Sequence, residues 1–204
     1  MSLVLISSPR FVDHVTPAGH PERPERAETL EAVAARFREA GGTVLEPRSA
    51  TDEDLARVHT REHIAGIVAR RGRPSMIDED TFTSPDSDDI ARLAAGAVLT
   101  AVDHVLDGPA RSRALALVRP PGHHAEAGKA MGFCLYNNIA VGAAYARSRG
   151  LSRVAIVDYD VHHGNGTQAM FYEDPSVLFV SSHQYPFWPG SGASDETGRG
   201  SGEG

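Results

Sequence analysis

The chain predicts an α/β fold, a mostly parallel central sheet with helices on both faces in three layers. Three observations predict it. Short apolar runs alternate with longer amphipathic stretches along the sequence. The sharpest run, Val154-Ala155-Ile156-Val157, is apolar at every position, as expected for a strand buried on both faces. Two runs also end in proton-active residues, Arg119-Pro120-Pro121-Gly122-His123-His124-Ala125 and Asp158-Tyr159-Asp160-Val161-His162-His163-Gly164-Asn165-Gly166. Open α/β sheets carry their chemistry at that end of the strands.

In chain order, residues 3–6 form the first expected strand and 14–23 a polar loop. Pro24 suits a first helical turn. Leu30, Val33, Ala34 and Phe37 make one helical stripe that Gly41-Gly42 ends. Residues 43–45 are a short strand. Thr51 with Asp54 caps a helix start, and 60–70 continue as a second helix. Ser84-Pro85-Asp86 opens a long helix with Ile90, Leu93, Ala94, Ala97, Val98, Ala101 and Val105 on its apolar face, stopped by Asp107-Gly108-Pro109. Residues 114–118 form the strand that leads to the first histidine pair. Residues 138–149 are apolar nearly all round, which predicts a well-buried helix ended by Gly150. A strand over 177–181 follows. No internal repeat or interdomain linker interrupts the pattern.

Side chains alternate along a strand, so Asp158, Asp160 and His162 share one side if strand geometry persists past Val157. Asp160 and His162 then present an oxygen and a nitrogen donor together, a mix that suits zinc. Ligating histidines usually have their second ring nitrogen held by a carboxylate or carbonyl, and acids and histidines abound here. A lone Asp-x-His also fits a solvated strand end. The second histidine pair, His123-His124, weighs against that plainer reading.

These segments resemble the zinc-dependent histone deacetylase superfamily, which includes acetylpolyamine amidohydrolases and acetoin-utilisation proteins. The matching stretches are His20-Pro21-Glu22-Arg23-Pro24-Glu25-Arg26, residues 119–125, Gly132-Phe133-Cys134, residues 158–168, and Ser181-Ser182-His183-Gln184-Tyr185-Pro186-Phe187-Trp188-Pro189-Gly190, in the family's order. The resemblance narrows the fold to the arginase/deacetylase type. It implies that Asp160 and His162 are zinc ligands and that His123 and His124 flank the attacking water, with His124 as general base. Asp158 would orient His123, and Asn165 would orient His124. Some members carry Asp at the position of Asn165; a neutral amide leaves its histidine less basic than a carboxylate does. Gly132, Phe133 and Trp188 would line the tube for an acyl-lysine chain. Asp158, Asp160, His162, Ser181 and Ser182 resemble a structural potassium site. Arg26 resembles an inner-channel arginine, and a helix salt bridge is the alternative.

The implied reaction is removal of an acetyl or related acyl group from a lysine-containing protein or an acetylpolyamine. Zinc polarises the amide carbonyl and acidifies water to a pKa of about 7, while a neutral histidine moves the proton. The family also uses a third ligand, an Asp from a later strand, and a Tyr after Gly-Gly for the oxyanion; the 204 residues contain no Gly-Gly-Tyr and no second strand-end Asp of that kind. Residues 1–204 are therefore expected to be a single deacetylase catalytic domain with its C-terminal part missing, inactive or nearly so alone. Two rivals stand beside this reading. An arginase-like ureohydrolase with two manganese ions needs Asp-x-His-x-Asp, and Gly164 occupies the last place. A degenerate acyl-lysine binder or scaffold would not need a base beside a metal.

The remaining candidates have plainer roles. His20 suits an entrance loop. His59 and His63, four apart on a helix without an intervening general-base Glu in His-Glu-x-x-His order, suit packing. His163 falls on the opposite side of the strand from His162, and His183 lies near the potassium residues. Cys134 is the single cysteine, so no intrachain disulfide forms, and a reducing, cytoplasmic setting follows. The composition, 41% hydrophobic and 23% charged, matches ordinary soluble domains. A formal charge of −7 argues against direct nucleic-acid binding and suits a cationic substrate. The opening residues form a strand-like run and no leader, and no run approaches the ~18 apolar residues of a membrane span. The oligomeric state stays open, with a homo-oligomer compatible.

Overall fold

The computed structural model describes residues 3–203; the two ends of the expected 1–204 domain, Gly204 included, lie outside the described residues. The elements are β1 (Leu3–Ile6), α1 (Glu25–Glu39), β2 (Thr43–Leu45), α2 (Asp52–Leu55), α3 (Arg61–Val68), β3 (Ser75–Met76), β4 (Phe82–Thr83), α4 (Ser87–Asp107), β5 (Arg113–Ala116), α5 (Asn138–Ser148), β6 (Val154–Asp158), α6 (Asn165–Phe171) and β7 (Val177–Ser181), with 3-10 turns at Pro9–Asp13 and Gly200–Gly202. The alternation expected from the sequence is present. The β3–β4 hairpin and α6 are additions to it.

The strands β2, β1 and β5 pair in parallel, with Leu5 opposite both Val44 and Leu115. One face packs on α4 through Val4, Ile6, Ala97, Ala114, Ala116 and Val118. The other packs on α1 through Leu5, Ala34 and Leu117, with Leu30 and Phe37 beside them. This half has three layers. The strands β6 and β7 form a second parallel pair, with Ile156 opposite Phe179 and Asp158 opposite Ser181. Helices α5 and α6 cover one face of it through Ala140, Ala143, Ile156, Phe171 and Val177.

The parallel sheet thus comes in two pieces among the described residues. An open cleft of about 500 Å³ separates them, with Val118 on one side, Ile156 and Val157 on the other, and Val98 and Ile139 among its lining. On the second pair, Val157, Leu178 and Val180 are 67%, 58% and 45% exposed, so the strand run that looks buried on both faces is covered on one.

Helix α4 is more buried than a one-sided stripe requires. Ala91, Ala95 and Leu99 pack on Leu55, Ile64, Ile67 and Val141, while Val105, expected on the apolar face, is exposed near the C-terminal end. Local signals place the helix starts. Thr51 and Asp54 form a reciprocal capping box, Thr60 caps α3 and Asn137 caps α5. Each such cap contributes about 1 kcal/mol.

Candidate active site

The segment carrying the histidine pair leaves β5 through a buried anchor. Arg119 donates from Nε to Glu22 Oε1 at 2.6 Å and from Nη1 to the Phe11 carbonyl at 2.9 Å. Farther on, Asn137 Nδ2 donates to the Ala125 carbonyl and to Thr167 Oγ1, both at 3.1 Å, and the Thr167 N–H donates to the His123 carbonyl. The capping residue of α5 and the first turn of α6 thereby hold the two histidines between them.

The rings of His123 and His124 lie 3.9 Å apart, and each has a different partner. His123 Nδ1 donates to Asp158 Oδ2 at 2.8 Å. Burial opposes charge on Asp158, yet hydrogen bonds from His123 and from the Asp160 N–H outweigh it and hold its carboxyl below the ordinary value. His124 Nδ1 donates to Asn165 Oδ1 at 2.9 Å. Asn165 Nδ2 in turn donates to Glu126 Oε1 at 3.0 Å and faces Met131 Sδ at 3.5 Å. Burial first, then the charge of neighbouring His123, push His124 down to about 4. The environments of the two imidazoles are therefore unequal.

Gly164 makes the closeness of the first pair possible. A Cβ there would stand 2.4 Å from Asp158 Oδ2 and 3.3 Å from His123 Nδ1.

The donors Asp160 and His162 lie past the end of β6, so strand alternation does not bring them together. Two local turns do. The Asp160 N–H donates to Asp158 Oδ1 at 3.0 Å, and the His162 N–H donates to Asp160 Oδ1 at 2.9 Å. Short acidic side chains commonly bind the backbone two residues on, and here that habit replaces the expected strand. His162 Nδ1 stands 3.3 Å from Asp160 Oδ1, and His123 Nε2 stands 4.0 Å from the same oxygen. One carboxylate and one imidazole fit two places of a zinc set. Among the described residues no group of three or more His, Cys, Asp or Glu side chains is arranged to hold a metal ion.

Aromatic residues wall the histidines. Trp188 meets His124 edge-on with centroids 4.6 Å apart and lies 5.7 Å from His162, and Phe187 stacks on His162 at 5.9 Å. Gly132 lies against both Trp188 and His124. Phe133 points its ring at His20, 5.1 Å away, and its N–H donates to Thr81 Oγ1. His20 also contacts the Asp80 carbonyl through Nε2 at 3.0 Å, which joins the entrance loop to the turn before β4.

Ser181 and Ser182 lie beside 158–162. The Ser182 N–H donates to the Asp158 carbonyl at 2.9 Å, while the Ser181 hydroxyl pairs with His183 Nδ1 at 2.8 Å. His163 is buried, bonded to Ser191 and Gln168. His59 and His63 are buried and stacked 4.8 Å apart. Cys134 is fully buried, and burial pushes its thiol up to about 12, so it is no nucleophile. Arg26 is exposed on the first turn of α1. Sequence reasoning overlooked Glu126 and the Glu22–Arg119 pair; Glu126, two residues past His124 and next to the matched segment 119–125, was within reach of closer reading.

The fold and this strand-end arrangement define a class, an α/β protein with tandem histidines beside a carboxylate–imidazole donor pair. A model of the histone deacetylase domain matches residues 20–204, and the chain belongs to that family. It is 44% identical to histone deacetylase 15 of Arabidopsis thaliana over 91% of this chain and 34% of that protein. It is 40% identical to a probable deacetylase of Archaeoglobus fulgidus over 95% of this chain and 55% of the relative. It is also 42% identical to the human polyamine deacetylase HDAC10 over 90% of this chain and 29% of that protein. The crystal structure of the HDA15 HD domain superposes with a TM-score of 0.90 at 41% identity, covering 99% of this chain and 60% of that one. The fold is thus the deacetylase fold. The chain spans between 29% and 55% of the length of these curated relatives. Among the described residues no helix is long and apolar enough to cross a membrane.

Proposed function

We propose that this chain carries the histidine machinery of a zinc-dependent amidohydrolase that removes acetyl or a related acyl group from lysine side chains or polyamines. The observation that carries the reading is the unequal pairing of two stacked imidazoles, His123 with a carboxylate and His124 with a neutral amide. Environments that differ in this way assign different acid and base roles to like residues.

Asp160 and His162 would hold zinc, which when bound polarises the amide carbonyl and makes water a nucleophile near neutral pH. His124, with Nδ1–H committed to Asn165, keeps a free Nε2 lone pair. It takes the proton of the attacking water and returns it to the departing amine. Burial keeps this ring neutral and ready. His123, tied to Asp158, steadies negative charge as it develops on the attacked carbonyl. Gly132, Phe133 and Trp188 would flank a lysine-like chain, and Ser181 and Ser182 with Asp158, Asp160 and His162 would hold a potassium ion. A lysine-rich segment or a polyamine is cationic away from its neutral acylated nitrogen, which suits the acidic chain.

Two donors are one short of the three that catalytic zinc normally takes. We propose that polypeptide outside the 204 residues supplies the third, with the open cleft between β5 and β6 and the greater length of the relatives supporting this. The test uses the full-length protein, with zinc content measured by elemental analysis and turnover on acetyl-lysine peptides and acetylpolyamines. His124→Ala should lower turnover about 100- to 10,000-fold with zinc retained. Two manganese ions, no metal, or near-normal turnover in the variant would each sink the reading.

A further inference from the structure

We propose that Glu126 is a positioning residue for His124, acting through the side-chain amide of Asn165; the inference rests on the base role given to His124 above. An amide has two nearly isosteric ends, and nothing in its own shape tells it which end to turn toward a histidine. Here the choice is made from behind. Glu126 Oε1 accepts from Asn165 Nδ2 at 3.0 Å, which leaves Asn165 Oδ1 facing His124 Nδ1 at 2.9 Å. Turning the amide over would set two oxygen acceptors against each other at Glu126, and would offer an N–H donor to His124 Nδ1.

That turn would move the histidine's proton. With a donor facing Nδ1, the neutral ring carries its hydrogen on Nε2, and no lone pair remains there to accept a proton from water. The carboxylate therefore sets the tautomer of the base from one residue away. An Asp in place of Asn165 would need no such help, because both oxygens of a carboxylate accept.

Glu126 is itself anchored for this task. Its N–H donates to the Lys129 carbonyl at 2.9 Å, and its carbonyl accepts from His59 Nδ1 at 3.1 Å. The His59 ring is fixed on its other side by the Asn137 N–H at 2.9 Å. The side chain reaches Asn165 from a backbone held at both ends.

The experiment is a double-mutant cycle in the full-length, zinc-loaded protein, with Glu126→Ala and Asn165→Asp made singly and together, and Glu126→Gln beside them. Glu126→Ala should lower kcat by at least about tenfold with KM little changed, given that misplacing the proton of a catalytic histidine costs up to about 10,000-fold. Glu126→Gln should fall between the wild type and Glu126→Ala, because its amide can turn either an oxygen or an N–H toward Asn165. With Asp at position 165 the sign should reverse: removing Glu126 should be neutral or helpful, since two carboxylates would otherwise face each other.

Nitrogen NMR shifts of the His124 ring, read in the same variants without turnover, should show loss of the Nδ1–H form in Glu126→Ala alone. An unchanged tautomer in that variant, or an equal loss of kcat whichever residue occupies 165, overturns the proposal. If the wild type hydrolyses no acylated amine, the functional reading fails, and the ring shifts alone decide the Glu126 relay.

Discussion

Gly132 and Trp188 meet so closely that the glycine has no room for a side chain: a Cβ would stand 2.5 Å from the indole edge and 2.6 Å from His124 Cδ2. Gly132 also has φ +57°, in the left-handed region where a side chain adds strain. The contact ties the wall of the site to the histidine beside it.

Gly132→Ala should therefore destabilise the fold by about 1–3 kcal/mol and displace the indole from His124. Trp188 is the sole tryptophan, so its fluorescence reports the displacement directly. An emission spectrum and unfolding midpoint equal to the wild type would show that the wall has slack the structure does not display.

The buried pair of Glu22 and Arg119 makes a second prediction. Their side chains are 1% and 2% exposed, and the segment bearing His123 and His124 starts at that arginine. Arg119→Met takes the guanidinium away from the buried Glu22 carboxylate, which then faces the His14 ring at 3.5 Å, and should cost about 3–5 kcal/mol. Adding Glu22→Gln should recover part of the loss, because no lone charge remains. Urea unfolding of the two single variants and the double variant checks this. Simple additivity of the two losses would mean that the pair is not coupled.

Buried histidines set the acid limit of the fold. Burial, then the charges of Arg119 and His20, lower His14 to about 3, and burial with His63 lowers His59 to about 4. The unfolded chain binds these protons near pH 6.5, so below that pH it holds more protons than the native state. Stability is then lost as pH falls from about 6.5 toward 4, at up to about 1.4 kcal/mol per pH unit for each histidine. Urea midpoints should fall across that window, and His59→Gln should show a shallower slope by about one proton. A flat profile from pH 7 to 5 would contradict the assignment.

How far the sequence carried these conclusions depends on the range of each interaction. The Thr51–Asp54 box spans three residues, so its signature could be read directly. The pairing of His123 with Asp158 and of His124 with Asn165 was expected from family likeness, and the structure places each pair within hydrogen-bond distance. Strand alternation was the wrong cause for the closeness of Asp160 and His162; turns around short acidic side chains were the right one. The β3–β4 hairpin has two residues per strand, too few to show a period. No helix was expected over 165–171, because glycines flank Asn165 and Gly166 packs on Ala125, about forty residues away. Arg119 and Glu22 are 97 positions apart, and no local pattern announces such a pair. Nor does a period along one strand say whether a sheet is continuous, which is why the division between β5 and β6 was not foreseen.

That division and the donor count lead to the last prediction. Asp160 and His162 give zinc one oxygen and one nitrogen, and Asp160 remains half exposed. Catalytic zinc is held by three protein donors plus water, so the 204 residues alone should bind it weakly and turn over acetyl-lysine at background rate. The bare face at Val157, Leu178 and Val180 should make the same polypeptide prone to associate, since apolar surface of this kind is normally covered. Zinc titration, peptide hydrolysis and light scattering on the 204-residue polypeptide, run beside a full-length version, test all three. Tight binding of one zinc and full turnover by the short form would show that the site takes its remaining donor from within the 204 residues. Weak binding that becomes tight in the longer form would instead locate the missing donor outside them.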